Sequence, residues 1–316
     1  MPRTTLVLTD RDSELLVSLF KYRYLSTSQV QRLHFPSLQT AARRLRLLAA
    51  AGYVSMFRSP AIPDRIAMLT RSGAEAVADR LRVTLLELGW DGRRQQPKDY
   101  LFLAHFLAAS DFRITLTLAC GEAPDLQLLG FLPEHLVEQT PKGGVRKYVR
   151  DVIADIHDAR QKLLHAPDAV FALFRRGVPA LFFLEIDRGT ETIGNPERGV
   201  LKTVRFYLNY LLGSGYQRYR EDFSVSDQFK GFRALLVVSS RERLANIRTI
   251  CGRIQFDPAR AKRFIWLATH DVLLSADVLT CPWVSLDPDD EQQYAIVPDL
   301  SAEILDGSAH EVENQR

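Results

Sequence analysis

Three helix start signals follow one another closely near the amino terminus, and they divide the first part of Leu6–Val83 into short helices. Each signal is a side-chain hydroxyl that can accept a hydrogen bond from the first turn of a helix. The signals are Thr9 with Asp12, Ser26 with Gln29, and Ser37. Apolar residues at helical spacing follow each of them. The pattern therefore predicts three short helices in succession.

A hairpin pattern comes directly after the third predicted helix. Tyr53–Arg58 and Arg65–Leu69 flank a turn-rich segment with two prolines, and a helix through Val77 and Leu81 follows. The order helix, helix, helix, hairpin, helix is typical of a winged helix-turn-helix. We therefore expect an amino-terminal winged helix-turn-helix domain over residues 1–90.

The charge of this first part of the chain indicates its partner. Residues 1–82 hold 13 Lys and Arg against 6 Asp and Glu, a net charge of +7, whereas the whole chain carries +3. A basic domain on a chain of low overall charge is typical of a protein that binds a polyanion. We expect that polyanion to be double-stranded DNA.

The third predicted helix carries the residues expected to read DNA. Gln39, Arg43 and Arg46 lie at positions i, i+4 and i+7, opposite the apolar stripe. Arginine can donate a forked pair of hydrogen bonds to guanine, and glutamine can pair with adenine. Arg44 and Arg58 suit contacts with phosphates. Two alternatives remain: a basic face that is merely solvated, and a winged helix that binds protein.

The rest of the chain predicts a second domain with alternating helices and strands. A polar linker at 91–97 separates it from the first domain, and we expect the second domain to cover 97–285. Its pattern predicts an α/β fold with a mixed central sheet. Residues 286–316 hold nine Asp and Glu against one Arg, which predicts a solvated, partly disordered acidic tail.

Three acidic residues interrupt predicted strands of the second domain. Asp168 precedes one strand, and Glu185 and Asp187 end the next, where the period of two places both on one face. Three clustered carboxylates repel one another, and hard oxygen ligands favour Mg²⁺ or Mn²⁺. The alternative is that Asp168 sits in a turn while Glu185 and Asp187 pair with arginines.

A cationic helix face is predicted beside these acids. Arg198, Lys202, Arg205 and Asn209 share one face of the next helix, opposite an apolar stripe. Arg198 and Arg205 are candidate DNA contacts. A metal-bound water and a nearby cation are what phosphodiester cleavage requires. The pattern therefore indicates a metal-dependent endonuclease site.

These motifs resemble a known superfamily. Pro167-Asp168, Glu185-x-Asp187 and Lys202 in their order of elements resemble the PD-(D/E)XK nucleases. With the preceding winged helix, the arrangement is similar to the replication-relaxation family of bacterial plasmids and other mobile elements. The resemblance implies that Asp168 and Glu185 are metal ligands and that Asp187 occupies the superfamily's lysine position. Lys202 would then supply the missing amine, with Arg188 as the weaker choice.

Two functions remain open at this point. One is a Mg²⁺- or Mn²⁺-dependent endonuclease that nicks or relaxes DNA during plasmid or mobile-element replication, with Asp168, Glu185, Asp187 and Lys202 as catalytic residues. The other is a non-catalytic DNA-binding regulator or replication accessory protein with a degenerate nuclease fold. Further candidate partners are other replication or mobile-element proteins and a second copy of the chain.

The cellular location of the protein and the state of its cysteines are predicted from motifs that the sequence does not contain. No apolar run reaches the ~18 residues that a membrane span needs, so no membrane partner is expected. The amino terminus has no pattern of a secretory signal, which predicts a cytoplasmic protein. Cys120, Cys251 and Cys281 are far apart in sequence and are expected to be buried free thiols.

Overall fold

The computed structural model divides into two compact units, Met1–Ile114 (unit 1) and Thr115–Arg316 (unit 2). The chain has a mixed α/β fold. The structure describes residues 6–60, 62–92, 99–140, 143–156, 158, 160–256, 259–271 and 278–297.

Unit 1 contains the predicted succession of helices around a hairpin. Its helices and strands are α1 (Asp10–Tyr22), β1 (Leu25–Ser26), α2 (Thr27–His34), α3 (Leu38–Ala50), β2 (Val54–Ser59), β3 (Ile62–Leu69), α4 (Arg71–Leu81) and α5 (Leu85–Leu88). The three strands form an antiparallel sheet in the order β1-β3-β2. The predicted order of elements is confirmed.

The helix starts of unit 1 follow from local side-chain hydrogen bonds. Thr9 and Asp12 form the predicted capping box of α1, and Ser26 and Gln29 form that of α2. Ser37 caps α3 by accepting a hydrogen bond from the backbone N–H of Thr40 at 3.3 Å. Each cap pairs a backbone N–H group that has no partner inside its own helix. These signals act within three residues, so the sequence alone could predict them.

A long apolar helix, α6 (Tyr100–Glu122), begins in unit 1. Leu103 and Leu107 pack with buried Tyr24 and Ile66, and Gln29 of α2 donates a hydrogen bond to the Leu107 carbonyl at 2.8 Å. The division between the units therefore falls inside α6, whereas the sequence predicted a linker at 91–97. Residues 93–97 of that linker lie outside the described residues.

The composition of α6 also bears on the membrane prediction. By length and composition alone, Leu101–Glu122 would be long and apolar enough to cross a membrane. Buried Leu103 and Leu107 show that its first half serves as a core helix of unit 1. A core helix passes the same test of length and composition.

Unit 2 is built on a mixed seven-stranded sheet in the order β14-β13-β12-β11-β10-β9-β4. Strands β10, β11 and β12 are parallel, and the other neighbours are antiparallel. The sheet strands are β4 (Leu126–Pro133), β9 (Ala169–Arg175), β10 (Val178–Asp187), β11 (Phe232–Val238), β12 (Ile265–Thr269), β13 (Trp283–Ser285) and β14 (Gln293–Tyr294). The predicted mixed central sheet is confirmed.

Helices and two small hairpins complete the description of unit 2. The helices are α7 (Val200–Leu212), α8 (Tyr219–Asp222) and α9 (Arg241–Cys251), and the hairpins are β5 (Val137–Gln139) with β6 (Val145–Lys147) and β7 (Asp151–Ala154) with β8 (Lys162–His165). Residues of α7, α9 and alternate strand positions share one apolar core that includes Phe183, Val204, Leu236 and Ile247. This packing places α7 and α9 beside the carboxyl ends of β10 and β11.

Some predictions for unit 2 differ from the structure. Strands β5–β8 were not predicted, because short and largely exposed segments lack an apolar period. The acidic tail was wrong over 286–297: β14 joins the sheet there, and Leu286, Ile296 and Val297 are buried. Residues 298–316 lie outside the described residues, as does most of the helix predicted near 270–278. All three cysteines are buried and free, as predicted.

Candidate nucleic-acid interface and acid cluster

The exposed side of α3 carries the donors that its periodicity predicts. Gln39, Arg43 and Arg46 are exposed, while Ala41 and Leu45 on the other side are buried in the core of unit 1. We call Gln39, Arg43 and Arg46 the α3 surface. Among the described residues, neither of its arginines has an acidic partner, and Arg46 donates only to the Ala42 carbonyl of its own helix.

Arg44 differs from its neighbours on α3. Its Nε and Nη2 atoms donate to the two carboxylate oxygens of Asp12, and the Asp12 side chain is only 1% exposed. Burial alone would raise the pKa of Asp12, but Arg44 and the Thr9 donors outweigh it and hold the pKa below its ordinary value. Arg44 therefore joins α3 to α1, and its predicted phosphate contact stays a prediction.

The hairpin of unit 1 adds further exposed cations. Arg58 on β2 is exposed, as its predicted phosphate contact requires. Arg65 on β3 is also exposed, and the sequence argument did not single it out. Its position beside the turn was the available signal, since Arg and Lys side chains commonly contact phosphate oxygens.

A groove of about 590 Å³ lies between the start of α1 and the exposed side of α3. Arg11, Arg43 and Arg44 line it together with Asp10 and Asp12, which leaves a net positive charge. Arg43 thus belongs both to the groove and to the α3 surface. A phosphodiester strand running beside α3 would meet this positive charge.

In unit 2, Asp168 lies beside the end of β10. Its Oδ2 atom accepts a hydrogen bond from the Ile186 backbone N–H at 2.6 Å, and its own backbone N–H donates to the Leu184 carbonyl at 3.0 Å. The antiparallel pairing of β9 with β10 brings the predicted residues Asp168 and Glu185 near each other. The carboxylate of Asp168 therefore extends the pairing of the two strands.

Glu185 is the centre of a buried hydrogen-bond group. His165 Nε2 lies 2.6 Å from Glu185 Oε1, and the Tyr207 hydroxyl donates to the same oxygen. Burial raises the pKa of Glu185 and Asp168 raises it further, although His165 acts in the opposite direction. Burial would lower the pKa of His165, but Glu185 outweighs it and that pKa is raised. The group can therefore share a proton between His165 and Glu185.

Asp187 lies on the same face of β10 and has a different partner. Arg243 of α9 donates to both of its oxygens, from Nε at 2.6 Å and from Nη2 at 3.1 Å. The Gly189 backbone N–H also donates to Asp187, at 2.8 Å. The pairing of this acid with an arginine is the alternative that the sequence analysis left open.

The carboxylates do not fit the expected three-ligand metal site. Asp168, Glu185 and Asp187 each accept hydrogen bonds from protein donors, and Asp187 faces a guanidinium rather than the other two acids. Among the described residues, no group of three or more His, Cys, Asp or Glu side chains is placed to hold a metal ion. The surroundings of the three carboxylates therefore suit hydrogen bonds and ion pairs within the protein better than coordination of a cation.

The polar face of α7 is also paired internally. Arg205 donates to Asp155 at 2.8 Å, and the Asp155 side chain is 1% exposed. Asn209 accepts a hydrogen bond from the Ile156 backbone N–H at 2.7 Å. The segment after β7 therefore covers part of this face, and the predicted DNA contact of Arg205 stays a prediction.

The other two cations of that face have other positions. Arg198 is exposed before the start of α7, and Lys202 is partly buried in its first turn. Lys202 precedes Phe206 by one helical turn, on a different side of α7 from Tyr207, which contacts Glu185. The structure thus gives no contact between Lys202 and the acids.

Sequence reasoning missed three residues of this region: His165, Tyr207 and Arg243. His165 lies three residues before Asp168 in the chain, and this spacing was a usable signal. Tyr207 lies in the apolar stripe of α7, where an aromatic residue is ordinarily read as core. Arg243 is 56 residues from Asp187 in the chain, and only the parallel pairing of β10 with β11 brings them together.

Comparison with known proteins identifies the family. The model of the replication-relaxation family matches residues 16–225, more than half of the chain. This chain belongs to the replication-relaxation family. The match begins inside α1 and ends just after α8, so Arg243 lies beyond it. No curated protein and no solved structure matches the chain.

Proposed function

We propose that this member of the replication-relaxation family binds double-stranded DNA through unit 1 and acts as a non-catalytic replication protein. The observation that carries the proposal is the α3 surface, where Gln39, Arg43 and Arg46 are exposed and the two arginines have no acidic partner among the described residues. Family membership suggests a role in the replication of a plasmid or another mobile element.

The chemistry of the α3 surface favours DNA over a protein partner. A helix fits the major groove, where Arg reads guanine and Gln reads adenine. Arg58 and Arg65 on the hairpin and the cationic groove beside α3 suit the phosphates on either side. A protein-binding helix more often presents aromatic and apolar anchors.

The non-catalytic alternative is favoured over metal-dependent cleavage by the partners of the acids. Asp187 is held by Arg243, and Glu185 is held by His165 and Tyr207. Lys202, the expected substitute amine, lies on another side of α7 from Tyr207. We therefore assign DNA binding to unit 1 and no cleavage to unit 2.

DNA binding is tested with the full chain and labelled duplexes by fluorescence anisotropy over a salt series. Replacement of both Arg43 and Arg46 by Ala should weaken binding by about tenfold or more, because base and phosphate contacts are lost together. The matched control replaces Arg241 and Arg253, two exposed arginines of unit 2, and removes the same charge. Equal losses in both double variants would reduce the effect to net charge and contradict the proposal.

Cleavage is tested with supercoiled plasmid in a titration of Mg²⁺ and Mn²⁺. We expect equal residual nicking by the wild type, Asp168→Ala and Glu185→Ala, which would come from contamination. Metal-dependent nicking that is lost in both variants would overturn the non-catalytic assignment and restore the endonuclease function.

A further inference from the structure

The carboxyl ends of β10 and β11 bring a cation to the acid cluster, by which we mean Asp168, Glu185 and Asp187. The two strands are parallel, and Asp187 pairs in register with Val238, the last residue of β11. Helix α9 begins at Arg241, after its N-cap Ser240, so Arg243 lies in the first helical turn beside Asp187. The parallel pairing of β10 and β11 thus places the Arg243 guanidinium at the end of β10, where the acids lie.

Arg243 is bound on two sides. Besides its two hydrogen bonds to Asp187, its Nη2 atom donates to the Glu191 carbonyl at 2.6 Å. The Arg243 side chain is 15% exposed and that of Asp187 is 8% exposed. Gly189, which donates to Asp187, has a φ of +81°, and a Cβ there would lie 2.8 Å from the Ser239 hydroxyl. The loop after β10 is therefore fitted closely around this ion pair.

The remaining two acids are satisfied without Arg243. Asp168 accepts the Ile186 backbone N–H, and Glu185 accepts the Tyr207 hydroxyl and faces His165. His165 is also packed against the Phe206 ring, with ring centroids 5.2 Å apart. A divalent cation would compete with these donors for the carboxylates, and it would also meet the positive charge of Arg243.

We propose that the acid cluster of unit 2 is compensated by the protein's own donors and takes no divalent cation, with Arg243 supplying the counter-charge at Asp187. Arg243 is a positioning residue: it holds the end of β10 and the following loop. The acid cluster and Arg243 lie in unit 2, so their role is independent of DNA binding by unit 1.

The first experiment measures metal binding directly. Mn²⁺ is titrated into the full chain, and free Mn²⁺ is followed by electron paramagnetic resonance. We expect no difference between the wild type and the double variant D168N/E185Q. Saturable Mn²⁺ binding by the wild type that is lost in this variant would overturn the proposal, whatever the result of the DNA-binding assay.

The second experiment tests the role of Arg243 by thermal unfolding with and without Mn²⁺. Arg243→Ala leaves Asp187 buried and unpaired, so its Tm should fall by several degrees, whereas the exposed control Arg241→Ala should leave it unchanged. Adding D187N to R243A should recover much of the loss, because the uncompensated charge is removed. An undiminished loss in the double variant D187N/R243A would overturn the assigned role of Arg243.

A further variant and the metal dependence of the wild type keep the proposal testable if Arg243→Ala does not fold. Arg243→Lys retains the charge but loses the forked pair of hydrogen bonds, so its Tm should lie between those of the wild type and D187N/R243A. We also expect the Tm of the wild type to be independent of Mn²⁺, because a cation that binds only the folded protein would raise it. A wild-type Tm that rises with Mn²⁺ in a manner dependent on Asp168 would contradict the inference.

Discussion

The α3 surface of unit 1 and the neighbourhood of α7 and α9 in unit 2 use their arginines in opposite ways. On the α3 surface of unit 1, Arg43 and Arg46 are exposed and without acidic partners among the described residues. In unit 2, Arg205 and Arg243 are paired with carboxylates that are almost fully buried. Exposed charges contribute little to folding stability and are available for binding, whereas breaking a buried pair is costly.

Helix α3 of unit 1 carries both an exposed arginine and an arginine that is paired with a buried acid. Arg43 is exposed on α3, while Arg44, its direct neighbour, is bound to buried Asp12. Neighbouring positions on a helix differ by about 100° in direction, so adjacent arginines face different surroundings. The contrast between the units is therefore a contrast between environments, and substitutions can test it.

The largest effect is expected for Asp155→Ala in unit 2. This change removes the buried partner of Arg205, and we expect the free energy of unfolding to fall by about 3 kcal/mol. Urea denaturation of the full chain measures it, with exposed Arg198→Ala as a control that should change stability by less than about 0.5 kcal/mol. Equal effects of the two substitutions would remove the distinction between paired and exposed charges.

The second-largest change in stability is expected for a substitution of Asp12, and it depends on pH. Because the pKa of Asp12 is held below its ordinary value of 3.8, its contribution to stability is present above that value. It is lost as the pH falls through the lower pKa of the folded protein. Asp12→Asn should therefore lose about 2 kcal/mol at pH 7 relative to the wild type, and the difference should shrink in acid. A difference that is constant with pH would contradict the role of the Asp12 charge.

A comparison of Arg43→Ala with Arg44→Ala sharpens the contrast within α3. Arg43→Ala should lower DNA affinity by roughly tenfold with little change in Tm, because its side chain is exposed. Arg44→Ala should lower the Tm, because Asp12 loses its partner. Anisotropy and thermal unfolding of both variants measure the two quantities. The reverse assignment of losses would show that Arg44, and not Arg43, faces the DNA.

The smallest effect is expected for Arg58→Ala on the hairpin. A phosphate contact contributes affinity that does not depend on sequence, so binding to all duplexes should weaken by a similar small factor. The slope of log K against log salt should fall by about one unit. Anisotropy over a salt series measures the slope. A change confined to one duplex sequence would instead assign Arg58 to base recognition.

Much of the fold could be predicted because its signals are local. Thr9 with Asp12 and Ser26 with Gln29 act over three residues, and the apolar stripe of α3 correctly placed Gln39 on the exposed side. The period of two along β10 correctly placed Glu185 and Asp187 on one face. Strands β5–β8 were missed because their exposed residues carry no such period.

The partners of the charged side chains could not be predicted in the same way. Asp12 and Arg44 are 32 residues apart in the chain, and Asp155 and Arg205 are 50 apart. Such pairs depend on which elements pack together, and a single sequence does not specify that packing. The sequence therefore showed that Arg44 and Arg205 were cations on helices. It did not show that buried carboxylates would pair with them.

The sequence by itself determined the order of helices and the hairpin in unit 1, the basic character of that unit, and the three acids near the ends of two adjacent strands. Only the tertiary structure decided which charged side chains are exposed and available for binding, and which are paired inside the protein. It left Arg43 and Arg46 exposed, and the parallel pairing of β10 with β11 set Arg243 against Asp187. The physical reason is that caps and periodic patterns act between near neighbours, whereas charge compensation depends on burial and on contacts between residues far apart in the chain.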